Sequence, residues 1–230
     1  MRRLLVFLKY PIPGEVKTRL ADAIGDEAAC SVYRACVELT LVRLGAWRAE
    51  ATLCVDPPDA LERTRAWVGQ GVGWALRPQS GGTLGERLAE ATAHAFAQGA
   101  QRVVVVGTDS PWLTARDVDT ACEALAHAEL VLGPAEDGGY YLIGLSRPTP
   151  ALFEGIAWST AAVYQETIAK ARALGWRVRV LPLGYDVDRL EDVQRFVADE
   201  RARGTRVDAL DTIASSVPTM TRPQSVAHGP

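Results

Sequence analysis

The chain has 230 residues, 25 Lys and Arg against 28 Asp and Glu for a formal charge of −3, and 48% hydrophobic residues. That length suits one generous domain or two small ones, and it can bury a core that needs no covalent staples. A charge so close to neutral excludes an overall basic field of the kind that draws proteins to nucleic acid or acidic membranes, so neither partner is expected.

The amino terminus, Met1-Arg2-Arg3 followed by Leu4–Leu8, looks like the start of a signal peptide, but Lys9 ends the apolar run too early. No later stretch reaches the roughly 18 apolar residues of a membrane span, and a cytoplasmic location is expected. Cys30, Cys36, Cys54 and Cys122 form no CxxC pair, and His94, His127 and His228 stand alone. A zinc site and a His-based triad therefore both lack parts. The thiols read as small buried residues in a reducing compartment.

Short apolar runs alternate with amphipathic helix-length segments, the pattern of an α/β protein with a largely parallel sheet. The first strand, Leu4–Leu8, leads into Lys9-Tyr10-Pro11-Ile12-Pro13-Gly14-Glu15-Val16-Lys17-Thr18-Arg19-Leu20. Two prolines and a glycine stiffen this loop, and Lys9, Lys17 and Arg19 suit an anionic partner such as phosphate. Lys17-Thr18 imitates the end of a P-loop, but the glycines that motif requires are missing, and no G-x-G-x-x-G fingerprint follows the strand. A helix over Asp26–Trp47, a strand over Thr52–Val55, a helix over Asp59–Val68 and a strand over Gly73–Leu76 come next. The glycine-rich stretch Gln79–Arg87 then offers Gln79 and backbone amides that could read a nucleotide base, or serves only as a connection to a helix over Leu84–Gln98.

Val103–Val106 is apolar on both faces and reads as a central, doubly covered strand. It ends in Gly107-Thr108-Asp109-Ser110-Pro111, where Asp109 can coordinate a divalent cation through oxygen or simply form a turn. A helix over Ala115–His127 starts with a Thr114/Asp117 capping pair. Between strands Leu130–Leu132 and Tyr140–Leu145, Glu136-Asp137-Gly138-Gly139 can turn a hairpin and make part of the sheet antiparallel. In the same segment Gly138 and Gly139 would let a ligand approach the backbone, and Asp137 could bind hydroxyls or act as a general base. A plain Asp-Gly turn explains the same letters.

A helix over Thr160–Leu174 and a strand over Val178–Leu181 lead to Tyr185-Asp186-Val187-Asp188, a second acidic loop. Asp188 can serve as a metal ligand and also as the N-cap, with Glu191, of a helix over Arg189–Ala202; Asp186 is the fallback ligand. Periodicity fades after about residue 205, so residues 1–205 are expected to form one domain and residues 206–230 a disordered tail.

In this order, these segments resemble the glycosyltransferase-A-like nucleotide-diphospho-sugar transferase superfamily. More closely, the chain resembles the bacterial domain-of-unknown-function 2064 family, also called radical-SAM/selenodomain-associated transferase 1. The match spans about residues 3–200 and rests on Phe7–Leu20, Gly107–Pro111 and Glu136–Leu145. The resemblance implies a single Rossmann-like three-layer α/β/α sandwich with a mixed, mostly parallel sheet. Its first half would bind a nucleotide and its second half would shape an acceptor pocket.

On the same resemblance Lys9, Pro11, Gly14, Lys17, Arg19, Gln79, Gly85 and Asp109 belong to the nucleotide site, with Gly14, Lys17 and Arg19 near the phosphates. Asp109 corresponds to the superfamily's metal-binding Asp and Asp188 to its second ligand, for Mg²⁺ or Mn²⁺. Gly138, Gly139, Tyr140 and Trp158 would meet the acceptor, and Asp137 would join Lys17 and Arg19 in catalysis. One departure is Thr83, in Gly82-Thr83-Leu84-Gly85, where the family usually carries an acid.

The implied reaction is sugar transfer from a nucleotide-diphospho-sugar to a small-molecule acceptor. The alternative is nucleotidyl transfer from a nucleoside triphosphate to a phosphorylated small molecule, towards which the basic first loop leans, because a triphosphate brings more charge to neutralise. A non-catalytic nucleotide-binding module is the third reading.

Overall fold

The computed structural model describes residues 1–47, 49–68 and 73–216. Seven strands form one sheet in the order β3-β2-β1-β4-β6-β5-β7: β1 (Arg2–Lys9), β2 (Glu50–Asp56), β3 (Ala75–Pro78), β4 (Arg102–Val106), β5 (Leu130–Pro134), β6 (Tyr140–Leu145) and β7 (Val178–Val180). Only β6 opposes its neighbours, pairing antiparallel with β4 and β5, while the other pairings are parallel. The hairpin expected at Glu136–Gly139 is what reverses it.

Alternation along the strands sends side chains into two layers. Leu4, Val6, Leu8, Val104 and Val106 pack with α2 (Asp26–Leu44) and α5 (Ala115–Ala124) on one face. Leu5, Val103, Val105 and Ile143 pack with α4 (Leu84–Ala97) and α6 (Val163–Ala173) on the other. The valine strand is covered on both sides, with no residue of Val103–Val106 more than 4% exposed. All four cysteines are buried and free. No helix among the described residues is long and apolar enough to cross a membrane.

Four local features differ from the sequence expectation. The basic loop ends early, because Thr18–Ile24 is a short helix, α1, which begins after Lys17 adopts a left-handed backbone. β3 starts at Ala75 rather than Gly73, whose φ of +63° is incompatible with a strand. α7 (Leu190–Ala202) is capped by Asp192, whose carboxylate accepts from the Asp188 and Arg189 amides at 3.1 and 2.8 Å, so the expected Asp188/Glu191 cap does not form.

The fourth concerns the segment expected to be a disordered tail, which contains α8 (Asp208–Ser216). Leu210 is fully buried in a third cluster with Leu20, Val32 and Phe196, and Arg201 pairs with Asp211. Val207, Ile213 and Ala214 pack on the same cluster, an apolar spacing of i, i+3, i+6 and i+7 that spans barely two turns and is too short to stand out in the letters. Residues 217–230 of that expected tail lie outside the described residues.

Candidate active site

In open α/β sheets ligands collect beyond the carboxyl ends of the strands, where the strand order reverses. Here the reversal falls at β1, flanked by β2 and β4. At that edge lies a cavity of about 360 Å³ whose lining includes Lys9, Lys17, Arg19, Gln79, Asp109 and Asp188, side chains brought together from every part of the sequence. Tyr33 ties the rim together: its hydroxyl accepts from the Lys9 amide and donates to the Lys9 carbonyl, both at 2.9 Å, and lies 3.3 Å from the Thr108 hydroxyl.

Lys17 is the centre of the arrangement. Its side chain is 3% exposed, and its ammonium donates to Asp109 and, at 2.7 Å, to Asp188. The backbone there is left-handed, with φ 52° and ψ 42°, an unfavourable conformation for a residue with a Cβ. The two ion pairs hold it in place. Burial opposes the charge, but Asp109 and Asp188 outweigh it and hold the ammonium above its ordinary pKa.

The two acidic loops are tied to each other. The Val187 amide donates to the Asp109 carbonyl at 2.8 Å, the Ser110 hydroxyl donates to the Asp186 carboxylate, and the Trp112 indole donates to the Tyr185 carbonyl at 2.7 Å. Burial first, then repulsion from Asp109, pushes the Asp186 carboxyl above the usual carboxylate range. Because α7 takes its cap from Asp192, the Asp188 carboxylate is left to Lys17.

Gly184 supports this pairing, since a Cβ there would overlap the Trp112 ring and crowd Tyr141. Gly184→Ala should therefore destabilise the fold by about 1–3 kcal/mol, read from urea denaturation, because the aromatic pair has no room to give way.

Gln79 enters the cavity wall but has little left with which to read a base. Its amide donates to the Leu8 carbonyl at 3.3 Å and the Cys54 carbonyl at 2.8 Å, and its oxygen accepts from Arg87 at 3.2 Å. Arg87 in turn pairs with Asp56 at 3.2 Å. Asp56 and Arg87 both line the cavity, and sequence reasoning missed them. The signal for Asp56 was present, as it follows the strand Thr52–Val55 at the same edge. Arg87 was concealed by its place in a helix.

The remaining expected site residues are placed as follows. Pro11 and Gly14 lie in the basic loop; Pro11 is buried, and Gly14 turns at φ +77°. Gly85 is buried in the first turn of α4, where a Cβ would overlap the Trp158 ring and the Phe153 carbonyl. Trp158 accordingly lines a separate groove with Gly85 and Phe153. Thr83 is the N-cap of α4: its hydroxyl accepts from the Glu86 amide at 3.3 Å, and its own amide donates to the Glu86 carboxylate at 2.7 Å.

Tyr140 lines a second cavity of about 240 Å³ that adjoins the first through Phe7, Leu84 and Asp109 and also includes Ser110, Tyr141 and Asp186. Asp137 is exposed on the β5–β6 turn, accepting from the Gly139 amide at 2.9 Å, and the Gly138 backbone packs against Ala161. The turn thus brings Asp137, Gly138 and Gly139 together, away from the lining of both cavities.

Among the described residues no group of three or more His, Cys, Asp or Glu side chains stands at metal distance. Asp109 and Asp188 nevertheless converge on one cation, the Lys17 ammonium. Two carboxylates supplemented by phosphate oxygens and water are a donor set suited to Mg²⁺.

Residues 40–160 match the model of a family described as "Uncharacterized protein conserved in bacteria (DUF2064)". A solved chain from Desulfovibrio desulfuricans G20, provisionally described as a nucleotide-diphospho-sugar transferase, superposes with a TM-score of 0.86 at 36% identity, covering 94% of this chain and 97% of that one. Phosphoenolpyruvate guanylyltransferase from Sphaerobacter thermophilus is 29% identical over 184 residues, 78% of this chain and 86% of its own length. At the level of fold alone, a Mycobacterium tuberculosis H37Rv protein solved as a complex with manganese matches with a TM-score of 0.52 at 15% identity, over 86% of this chain and 98% of that one.

Proposed function

Because the chain belongs to this DUF2064 family and is a transferase of the nucleotide-handling kind, we propose that it moves a nucleoside monophosphate from a nucleoside triphosphate onto a phosphorylated small molecule. The convergence of Asp109 and Asp188 on Lys17, beside a loop that also carries Lys9 and Arg19, is the observation that carries this reading. A triphosphate brings enough negative charge to need that many cations at once. The guanylyltransferase relative supports a guanylyl group as the one transferred and makes phosphoenolpyruvate the first acceptor to test.

In the proposed reaction an acceptor phosphate oxygen attacks the α-phosphorus. The bond from that phosphorus to the bridging β-oxygen breaks, and pyrophosphate leaves. Lys17 and Arg19 stabilise the negative charge that grows on the α- and β-phosphate oxygens, an electrostatic contribution that is large in a partly dehydrated site. Asp109 and Asp188 are the residues that would hold a divalent cation, in keeping with the manganese complex of the distant fold relative. Such a cation would supply Lewis-acid charge neutralisation at the phosphates.

The acceptor's phosphate is already anionic at neutral pH and needs no base, which agrees with Asp137 being engaged in its own turn. The adjoining cavity, with Tyr140 and Tyr141 on its wall, suits the acceptor body. Sugar transfer remains the second reading because of the Desulfovibrio description.

Analysis of the leaving group separates the two. With GTP, phosphoenolpyruvate and Mg²⁺ or Mn²⁺, pyrophosphate should accumulate. Release of a nucleoside diphosphate from a nucleotide-sugar, with no pyrophosphate from any triphosphate, would overturn the proposal.

A further inference from the structure

The part of the cavity farthest from Lys17 is built by residues that the phosphate chemistry leaves unused. Asp56 ends β2, and Gln79 follows β3. Neighbouring strands lie about 4.8 Å apart, so the end of β2 stands roughly 10 Å from the end of β4, where Asp109 begins the phosphate end. A nucleoside covers a span of that order between its 5′-phosphate and the far edge of its base. Phosphates gripped at β1 and β4 would therefore carry the base over β2 and β3.

That end has the surface a base needs. Leu84 is a large apolar side chain left 39% exposed on the cavity wall, with Phe7 also in the lining, so a flat ring finds apolar contact. Asp56 and Arg87 supply the polar edge. They are paired at 3.2 Å with side chains 28% and 24% exposed, so each keeps hydrogen-bonding capacity facing the cavity. The carboxylate has further lone pairs and the guanidinium further N–H groups. Gln79 fixes the guanidinium by accepting from it at 3.2 Å and is itself held by two backbone carbonyls. The Arg87 Nε is buried and has no hydrogen-bond partner among the described residues, so the donors left for a base are the terminal N–H groups.

We propose that Asp56 and Arg87 form a base-reading pair that selects guanine. Side by side, the pair presents two acceptors and then a donor. The Watson–Crick edge of guanine presents two donors, the 2-amino group and N1–H, and then the O6 acceptor. Adenine presents one amino donor beside an acceptor, cytosine one donor and two acceptors, and uracil a donor between two acceptors. Against any of these bases the Asp56 carboxylate faces at least one acceptor or a bare C–H, so the bound base takes water from a carboxylate oxygen without replacing its hydrogen bond, which is costly.

The inference deepens the proposed function and rests on it for the nucleoside triphosphate as donor. It is tested by binding, which does not require turnover.

The test is isothermal titration calorimetry of the full chain with Mg²⁺ complexes of GTP, ITP and ATP. ITP keeps N1–H and O6 but lacks the 2-amino group. The wild type should bind GTP about 10- to 100-fold more tightly than ITP, the range for hydrogen bonds to a charged partner, and should bind ATP most weakly. In Asp56→Asn the GTP:ITP ratio should fall to near one, and in Arg87→Gln GTP and ITP should weaken together.

Equal wild-type binding of GTP and ITP overturns the assignment even if neither variant folds, as does a GTP:ITP ratio that survives Asp56→Asn. If the wild-type ratio collapses in the variant while no triphosphate releases pyrophosphate with any acceptor, the base assignment stands and the transfer reading falls.

Discussion

Asp109→Asn should lower kcat for nucleotidyl transfer by at least about 10²- to 10³-fold, the loss usual when one preorganised electrostatic contact to the reacting group is removed. The side chain keeps its shape, its backbone carbonyl still accepts from the Val187 amide, and the Ser110–Asp186 contact remains. The melting temperature should fall by only a few degrees, since Asp188 still pairs with the Lys17 ammonium. Because the carboxylate is 48% exposed, its pairing with Lys17 contributes modestly to stability once solvent screening is allowed for. Steady-state kinetics over a range of Mg²⁺ or Mn²⁺ concentrations is the measurement: the variant should show both a reduced kcat and a raised metal requirement. Wild-type kcat with unchanged metal dependence would remove Asp109 from the centre.

Lys17→Met carries the second large effect, and it separates two properties that usually change together. Methionine keeps the apolar stem but removes the ammonium, which lies 5.9 Å from the centre of the Tyr33 ring. The loss of a buried cation facing the phosphates should reduce kcat/KM by about 10²-fold or more. In the absence of nucleotide the same change should strengthen binding of Mn²⁺ alone. The wild-type ammonium occupies the point that Asp109 and Asp188 share, so a divalent cation held by both would have to displace it. In the variant two facing carboxylates lose their counter-charge, so each would gain from a metal ion. Titration of free Mn²⁺ by electron paramagnetic resonance reads this directly. Tighter Mn²⁺ binding with slower transfer is the expected combination, while unchanged Mn²⁺ affinity would show that Lys17 and the cation do not compete.

Much of the fold was legible because its strands announce themselves. Val103–Val106 is apolar on both faces and became a central strand, and the Asp-Gly-Gly turn announced the one antiparallel reversal. Where polar residues follow such strands, the sheet edge gathers them, so Lys17, Asp109 and Asp188 could be expected in one place. The remainder was hidden for identifiable reasons. Nothing local marks Lys17 as a left-handed residue that starts a helix, since two carboxylates from 92 and 171 positions away sustain its conformation. Gln79 has the chemistry of a base reader, but tertiary contacts commit its amide to two backbone carbonyls.

Other positions are explained by close packing and by capping. Gly85, which the resemblance assigns to the nucleotide site, packs so closely on Trp158 and the Phe153 carbonyl that a Cβ would overlap both. Thr83, the position where the resemblance leads one to expect an acid, begins a Thr83-x-x-Glu86 capping box, so its hydroxyl already serves the start of α4. Asp56 and Arg87 meet only across the fold, 31 residues apart in sequence, and neither is unusual alone.

The central claim is that the carboxyl edge of β1 and β4 carries out nucleotidyl transfer. It is tested most directly by following the α-phosphorus of labelled GTP supplied with phosphoenolpyruvate and Mg²⁺ or Mn²⁺. The label should leave GTP and appear in an adduct that joins the guanosine 5′-phosphoryl group to the acceptor phosphate, with one pyrophosphate released per adduct. Label confined to GTP and its hydrolysis products, alongside sugar transferred from a nucleotide-sugar with release of the nucleoside diphosphate, would contradict it.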